Sequence, residues 1–357
     1  LVITEYLLSK INDANLFIHF FFNSAIAKEG IMLLCRRALW SFYAFTLFAM
    51  PLLISSCYNP DRLYVSNLGD GTISIIDRND LSSLGDVFVG GEPAHIGMIA
   101  AIDRAYVCDL ASNNIHVINT FTNTKLTDIT INRPAASLDI DPNLQLIYAL
   151  DNSGTNLQVI DVTSNIQIAD KLIGSDVQDI RLDALNGRIF ITDFIEGLIV
   201  ADSTDYSVSK TIPFDGKAHG LAVDSISSNV YVTDVEKDMV VVINPNIDPP
   251  SDPVLAKINV GSQPEWVAIN ASGTKAYVTN AGDGTVSVID AVNYAETKSI
   301  PVKVGVFYIV IDSDSDYAYV TNPDDGTVSV INTLDDTLKD TISAGIEPVG
   351  LALIPES

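Results

Sequence analysis

The chain of 357 residues carries 45 acidic against 20 basic side chains, a formal net charge of −25. A surface of that sign repels phosphate backbones, which sets nucleic acid aside as a partner. Three cysteines, at 35, 57 and 108, are too few for a disulfide framework, and no intramolecular disulfide is expected.

In chain order, residues 1–31 carry no functional pattern and precede Met32, where translation of an exported protein would start; they are expected to be upstream sequence. Arg36-Arg37 is followed by an uncharged apolar stretch, Ala38 to Ser56, and this resembles the basic and apolar regions of a secretory signal peptide. It ends Leu53-Ile54-Ser55-Ser56-Cys57, which resembles a bacterial lipobox. The resemblance implies a signal peptide over residues 32–57, a lipid on Cys57, and export to the cell envelope. Tyr58 and Asn59, with no aspartate there, imply the outer membrane in a Gram-negative cell. The alternative is an uncleaved anchor, since the apolar stretch is just long enough to span a bilayer.

From Tyr64 onward one pattern repeats. Tyr64-Val65-Ser66-Asn67 is echoed at Tyr106, Tyr148, Phe190, Tyr231, Tyr277 and Tyr319, at spacings of 42, 42, 42, 41, 46 and 42 residues. A period near forty with strand-like content signals stacked repeats. Within one copy, Trp266–Asn270 and Lys275–Asn280 are short apolar runs joined by a turn, and Asp283-Gly284 supplies a tight hairpin before Val286–Asp290. A fourth run, Thr297–Val302, completes a meander lettered A to D. Such a sheet is apolar on both faces and is stable only between copies of itself, which predicts a β-propeller. Seven B strands and seven A strands can be counted. The last A strand, Leu351–Ile354, has no B strand after it, so the C-terminus is expected to close the ring against the blade that begins near Tyr64. The fold class is thus all-β, a seven-bladed propeller over residues 58–357.

The Tyr-Val-Thr-Asn signature, the Asp-Gly-Thr-Val-Ser-Val-Ile-Asp run and the lead-in Gly261-Ser262-Gln263-Pro264 resemble the YVTN-repeat β-propeller family, the YncE-like proteins. The resemblance implies a secreted or surface-associated propeller. Phe190 and the stretch Ile195–Val200, which lacks Asp-Gly, depart from the pattern and leave that blade's edge the least defined.

Candidate site residues follow from the places where the copies differ. The two positions ahead of each A strand vary while the framework repeats, and they are expected in loops ringing the channel entrance. His95, Asp179, His219 and Glu265 are the polar candidates there, as metal ligands or a general acid and base; Trp266, Phe307 and Tyr308 would form an apolar wall. No metal site is assigned. The ring Asn67, Asp109, Asp151, Asp193, Asp234, Asn280 and Asn322 reads as turn-capping residues. Asp312–Asp316 begins like a calcium loop but lacks glycine at its sixth place and glutamate at its twelfth, so it reads as an acidic turn.

The chain has no Cys-x-x-Cys-His, His-Glu-x-x-His or Gly-x-Ser-x-Gly motif. A lipid-anchored, monomeric binding or scaffold module is therefore expected, without a cofactor, presenting its top face to an envelope protein, a polysaccharide or a small ligand. Two alternatives stand beside it. One is a propeller enzyme, resembling lactonases or haem d1-type tetrapyrrole-handling domains; the other is a cell-surface structural protein.

Overall fold

A computed structural model describes residues 61–248, 251–312 and 316–354. The expected leader over 32–57, Cys57, and the middle of the acidic turn lie outside the described residues. Among those described, seven four-stranded antiparallel sheets follow one another, and each is a meander. Blade 1 is assembled from both ends of the propeller; blades 2 to 7 follow in chain order. The innermost A strands are Pro93–Ile99, Ala135–Asp141, Val177–Asp183, Ala218–Val223, Pro264–Ile269, Ile309–Ile311 and, for blade 1, Pro348–Leu353. Each A strand touches the A strands of both neighbouring blades, so together they line a central channel.

Ring closure is a strand pairing. Leu351 stands opposite Val65 and Leu353 opposite Leu63, which makes the C-terminal strand the inner strand of the first blade. The seam is reinforced at both ends: the Gly345 amide donates to Asn67 Oδ1 at 3.0 Å, and Arg78 pairs with Asp312 in a buried ion pair. Asp312, the first residue of the calcium-like run, is thus engaged in holding blade 7 to blade 1.

The core lies between blades, as the two-faced apolar strands require. Tyr148, Leu157 and Val159 of blade 3 pack against Ile180, Ile189 and Ile199 of blade 4 in one buried cluster. The tyrosine column is fully buried, and its hydroxyls explain why tyrosine rather than phenylalanine recurs. Tyr64 donates to the Thr120 carbonyl, Tyr148 to Ser203 and Tyr231 to Ala291, each in the C-to-D turn of the next blade. Where the column holds Phe190, Arg188 covers the ring at 5.1 Å and hydrogen-bonds Asn246 in the next blade at 2.8 Å. The hairpin that lacks Asp-Gly pairs in full register from Arg188 opposite Asp202 to Asp193 opposite Gly197. Gly197 accepts the turn with φ 98°, a conformation side chains disfavour.

Of the ring at the B-strand ends, Asp109, Asp151, Asp193 and Asp234 cap the following turns by accepting backbone amides, whereas Asn67, Asn280 and Asn322 donate instead to Thr and Ser hydroxyls of the C strand. Asp193 accepts from the amides of Ser175, Asp176, Ile195 and Glu196. Burial opposes its charge, and those four donors outweigh burial, holding the carboxyl below its usual range.

Candidate functional site

The residues expected in loops ahead of the A strands lie, with two exceptions, inside those strands. His95, Asp179, His219, Glu265 and Trp266 belong to strands that resume pairing beyond a bulge, with Pro93 opposite Asp109, Val177 opposite Asp193, Ala218 opposite Asp234 and Pro264 opposite Asn280. Only Phe307 and Tyr308 precede their strand. A bulge sets two residues of one strand against a single partner and re-aims both. The signature threonine holds it in place. Thr233 Oγ1 accepts the Gly220 amide at 2.8 Å and donates to the Glu265 carbonyl of the next blade at 2.9 Å. Thr279 joins Trp266 to Phe307 in the same way, at 3.0 and 2.6 Å.

The bulge sorts the candidates into two levels. At the outer level are His219, Glu265 and Phe307, all partly exposed, with Ala94, Ala136, Gln178 and Val349 completing the circle. At the inner level are His95, Ser137, Asp179, Gly220, Trp266, Tyr308 and Gly350, all buried. His95 and His219 therefore sit at different heights. Among the described residues, no group of three or more His, Cys, Asp or Glu side chains is placed to hold a metal ion.

The inner level is closed by a hydrogen-bonded circuit. His95 Nδ1 is 2.9 Å from Ser137 Oγ, which donates to Asp179 Oδ1 at 2.9 Å. Arg181 donates to the same Asp179 oxygen at 2.9 Å and to the Tyr308 hydroxyl at 3.1 Å. The Tyr308 hydroxyl in turn lies 2.5 Å from His95 Nε2. The protons fall into one sense around this circuit. With Arg181 donating to the Tyr308 oxygen, the arrangement that also gives the tyrosine proton an acceptor places it on His95 Nε2, leaving Nδ1–H to donate to Ser137. Only the Leu138 amide, 3.2 Å from Nδ1, favours the opposite tautomer.

Burial and the Arg181 charge depress the His95 pKa to about 3, against the pull of Asp179, so the ring is neutral. Burial also pushes the Tyr308 hydroxyl up to about 12. Burial works against the Arg181 charge, but Asp179, the Tyr308 oxygen and Asp139 more than offset it and the guanidinium stays protonated. Asp139, half-buried one blade away, has its pKa raised by desolvation despite the Arg181 charge and two backbone donors, Ile140 and Leu182. Each member of the circuit is committed to another, an arrangement suited to fixing the channel wall rather than to delivering a proton.

The outer level differs. Aromatic rings run along blades 4 to 7 and join it to the inner level through the buried Trp266: Phe194 to His219 at 5.8 Å, His219 to Trp266 at 4.8 Å, and Trp266 to Phe307 at 5.0 Å. Glu265 Oε2 lies 3.3 Å from His219 Nδ1. Desolvation raises the Glu265 pKa, and His219 only partly counters it. Facing this wall, blades 1 to 3 offer Val349, Ala94 and Ala136, so the mouth is aromatic and acidic on one side and small on the other.

Sequence comparison gives nothing to set beside this geometry: neither a family model nor a curated protein matches the chain. Solved structures do. A functionally unknown protein from Desulfotomaculum acetoxidans superposes with a TM-score of 0.74 at 14% identity, over 83% of this chain and 100% of that one. Hydrazine synthase from Kuenenia stuttgartiensis gives 0.69 at 15% identity, over 78% and 94%. Dihydro-heme d1 dehydrogenase NirN, in complex with DHE, gives 0.63 at 10% identity, over 83% and 76%. The likeness is one of fold. At these identities it carries no residue roles across.

Three features of the site were not singled out from sequence. Arg181 was legible as the one cation in a column otherwise made of Gly97, Asp139, Ala222, Ala268, Val310 and Ala352. Ser137 stood in the variable column without an evident partner. Phe194 lies in a B-to-C turn, and nothing in the sequence marks its approach to His219.

Proposed function

We propose that this propeller is a non-enzymatic binding module of the YVTN-repeat, YncE-like type, exported and tethered through a lipid on Cys57. Its ligand enters the channel mouth lined by Phe194, His219, Glu265 and Phe307. It acts as a monomer, without a cofactor and without nucleic acid. The observation that carries this reading is the contrast between levels. The inner circuit is satisfied within itself, whereas Phe194, His219, Glu265 and Phe307 of the outer wall stay partly exposed, an aromatic surface with a carboxylate of the kind that lines small-molecule sites. An enzyme of the lactonase type needs a free acid or base at the reacting atom, and here His95 and Tyr308 are bound to each other and Asp179 to Ser137 and Arg181.

A thermal-shift panel of amines, sugars and carboxylates on the purified full chain tests the reading, run beside a lactone-hydrolysis screen. The expected outcome is stabilisation by one class without turnover, lost in Phe307→Ala. Turnover of any lactone that disappears in Asp179→Asn would reverse it in favour of the enzyme.

A further inference from the structure

We infer that the channel mouth recognises a small organic ammonium ion, held between the aromatic wall and Glu265. This rests on the reading of the mouth as a binding site and names the ligand class. The first observation is that an ammonium already occupies one face of the wall: Lys217 Nζ stands 5.4 Å from the centroid of the Phe194 ring. That is within the range at which the ring quadrupole attracts a cation. Lys217 is itself exposed and comes from the loop just ahead of the strand that carries His219, so its side chain is a tethered occupant that can leave.

The second observation is electrostatic. Among the described residues Glu265 is the carboxylate of the seven outer-level positions, its side chain is 23% exposed, and it pairs with His219, a ring with no permanent charge. A carboxylate with so little compensation favours a cation that brings its own low-cost desolvation, and alkylated ammonium is the least hydrated of these. The third is charge at long range: a chain at −25 concentrates cations near its surface and repels anionic ligands. The positions opposite the wall hold the small residues Val349, Ala94 and Ala136.

The test is calorimetric titration of the full chain with choline and tetramethylammonium, beside 3,3-dimethyl-1-butanol as the uncharged isostere of choline. Binding of both cations is expected, with the isostere weaker by about tenfold or more. Glu265→Gln and Phe194→Leu are each expected to weaken the cations about fivefold to thirtyfold. Lys217→Gln, which removes the tethered competitor, is expected to tighten them. Circular-dichroism melts of each variant confirm the fold, since all three side chains are partly exposed. Equal binding of the isostere would overturn the ammonium inference and leave the mouth standing as a binding site. Absence of cation binding to both the native chain and Lys217→Gln would also overturn it, while the separate panel decides whether the mouth binds anything else.

Discussion

The Tyr308 hydroxyl and His95 Nε2 meet at 2.5 Å although 213 residues and one whole blade separate them. Blade 7 and blade 2 are not neighbours in the ring, so this contact spans the channel and makes its inner level a single connected unit. Arg181 from blade 4 and Asp179 beside it complete the span on the far side.

Tyr308→Phe is expected to cost about 1–3 kcal/mol, because it strips a buried acceptor from Arg181 and a buried donor from His95 while keeping the ring's volume. Urea denaturation at pH 7 measures it. A change below about 0.5 kcal/mol would mean that the circuit contributes little to holding the ring.

His95 predicts a pH dependence. Its folded pKa of about 3 lies below the unfolded value near 6.5, so the unfolded chain binds the extra proton first as pH falls. Its contribution to stability is whole above about pH 6.5 and is lost as pH drops toward 3, at up to about 1.4 kcal/mol per pH unit. Denaturation curves at pH 7, 5 and 4 for the native chain and His95→Gln should therefore converge as the pH is lowered. Parallel lines would show that the imidazole does not titrate as described.

Gly350 lies in the C-terminal strand that closes the ring. A Cβ there would lie 2.4 Å from the Ala94 carbonyl oxygen and 2.5 Å from Ser66 Oγ, both fixed in the seam between blades 1 and 2. Gly350→Ala is expected to lose about 1–3 kcal/mol through overpacking. Gly85, with no atom within 4 Å of its Cβ position, is the control for lost glycine; its φ of 105° gives Gly85→Ala a backbone penalty of its own, so the seam variant should be the worse of the two.

The Arg78–Asp312 pair is buried on both sides, with side-chain exposures of 5% and 2%. Removing one charge from a buried pair typically costs about 3–5 kcal/mol, and Asp61, 3.9 Å from Arg78, offsets part of that here. Asp312→Ala should lower the melting temperature by several degrees, and calcium should not restore it. Restoration by calcium would return the acidic turn to consideration as a metal loop.

Much of this architecture was legible in the chain because its causes are local or periodic. A strand apolar on both faces needs a copy on either side, and seven tyrosines-or-phenylalanine at one spacing supply the copies. The surplus final strand predicted the closure that Leu351 and Val65 make. The candidate site was only partly legible. The variable column was found, but its residues were expected in loops. The bulge that keeps them in the A strands is set by pairing beyond it, as of Pro264 with Asn280, and by a threonine bridge to the next blade.

The sequence alone thus determined the number of blades, the strands within each, and the residues at which one blade differs from another, since repetition and alternation are written along the chain. The tertiary structure alone decided that His95, Ser137, Asp179, Arg181 and Tyr308 form one closed circuit and that Phe194, His219, Glu265 and Phe307 stay partly exposed. The physical reason is that circular closure brings together side chains from blades far apart in the chain, and the half-turn of a bulge, which no spacing records, decides whether each faces its neighbours or the channel mouth.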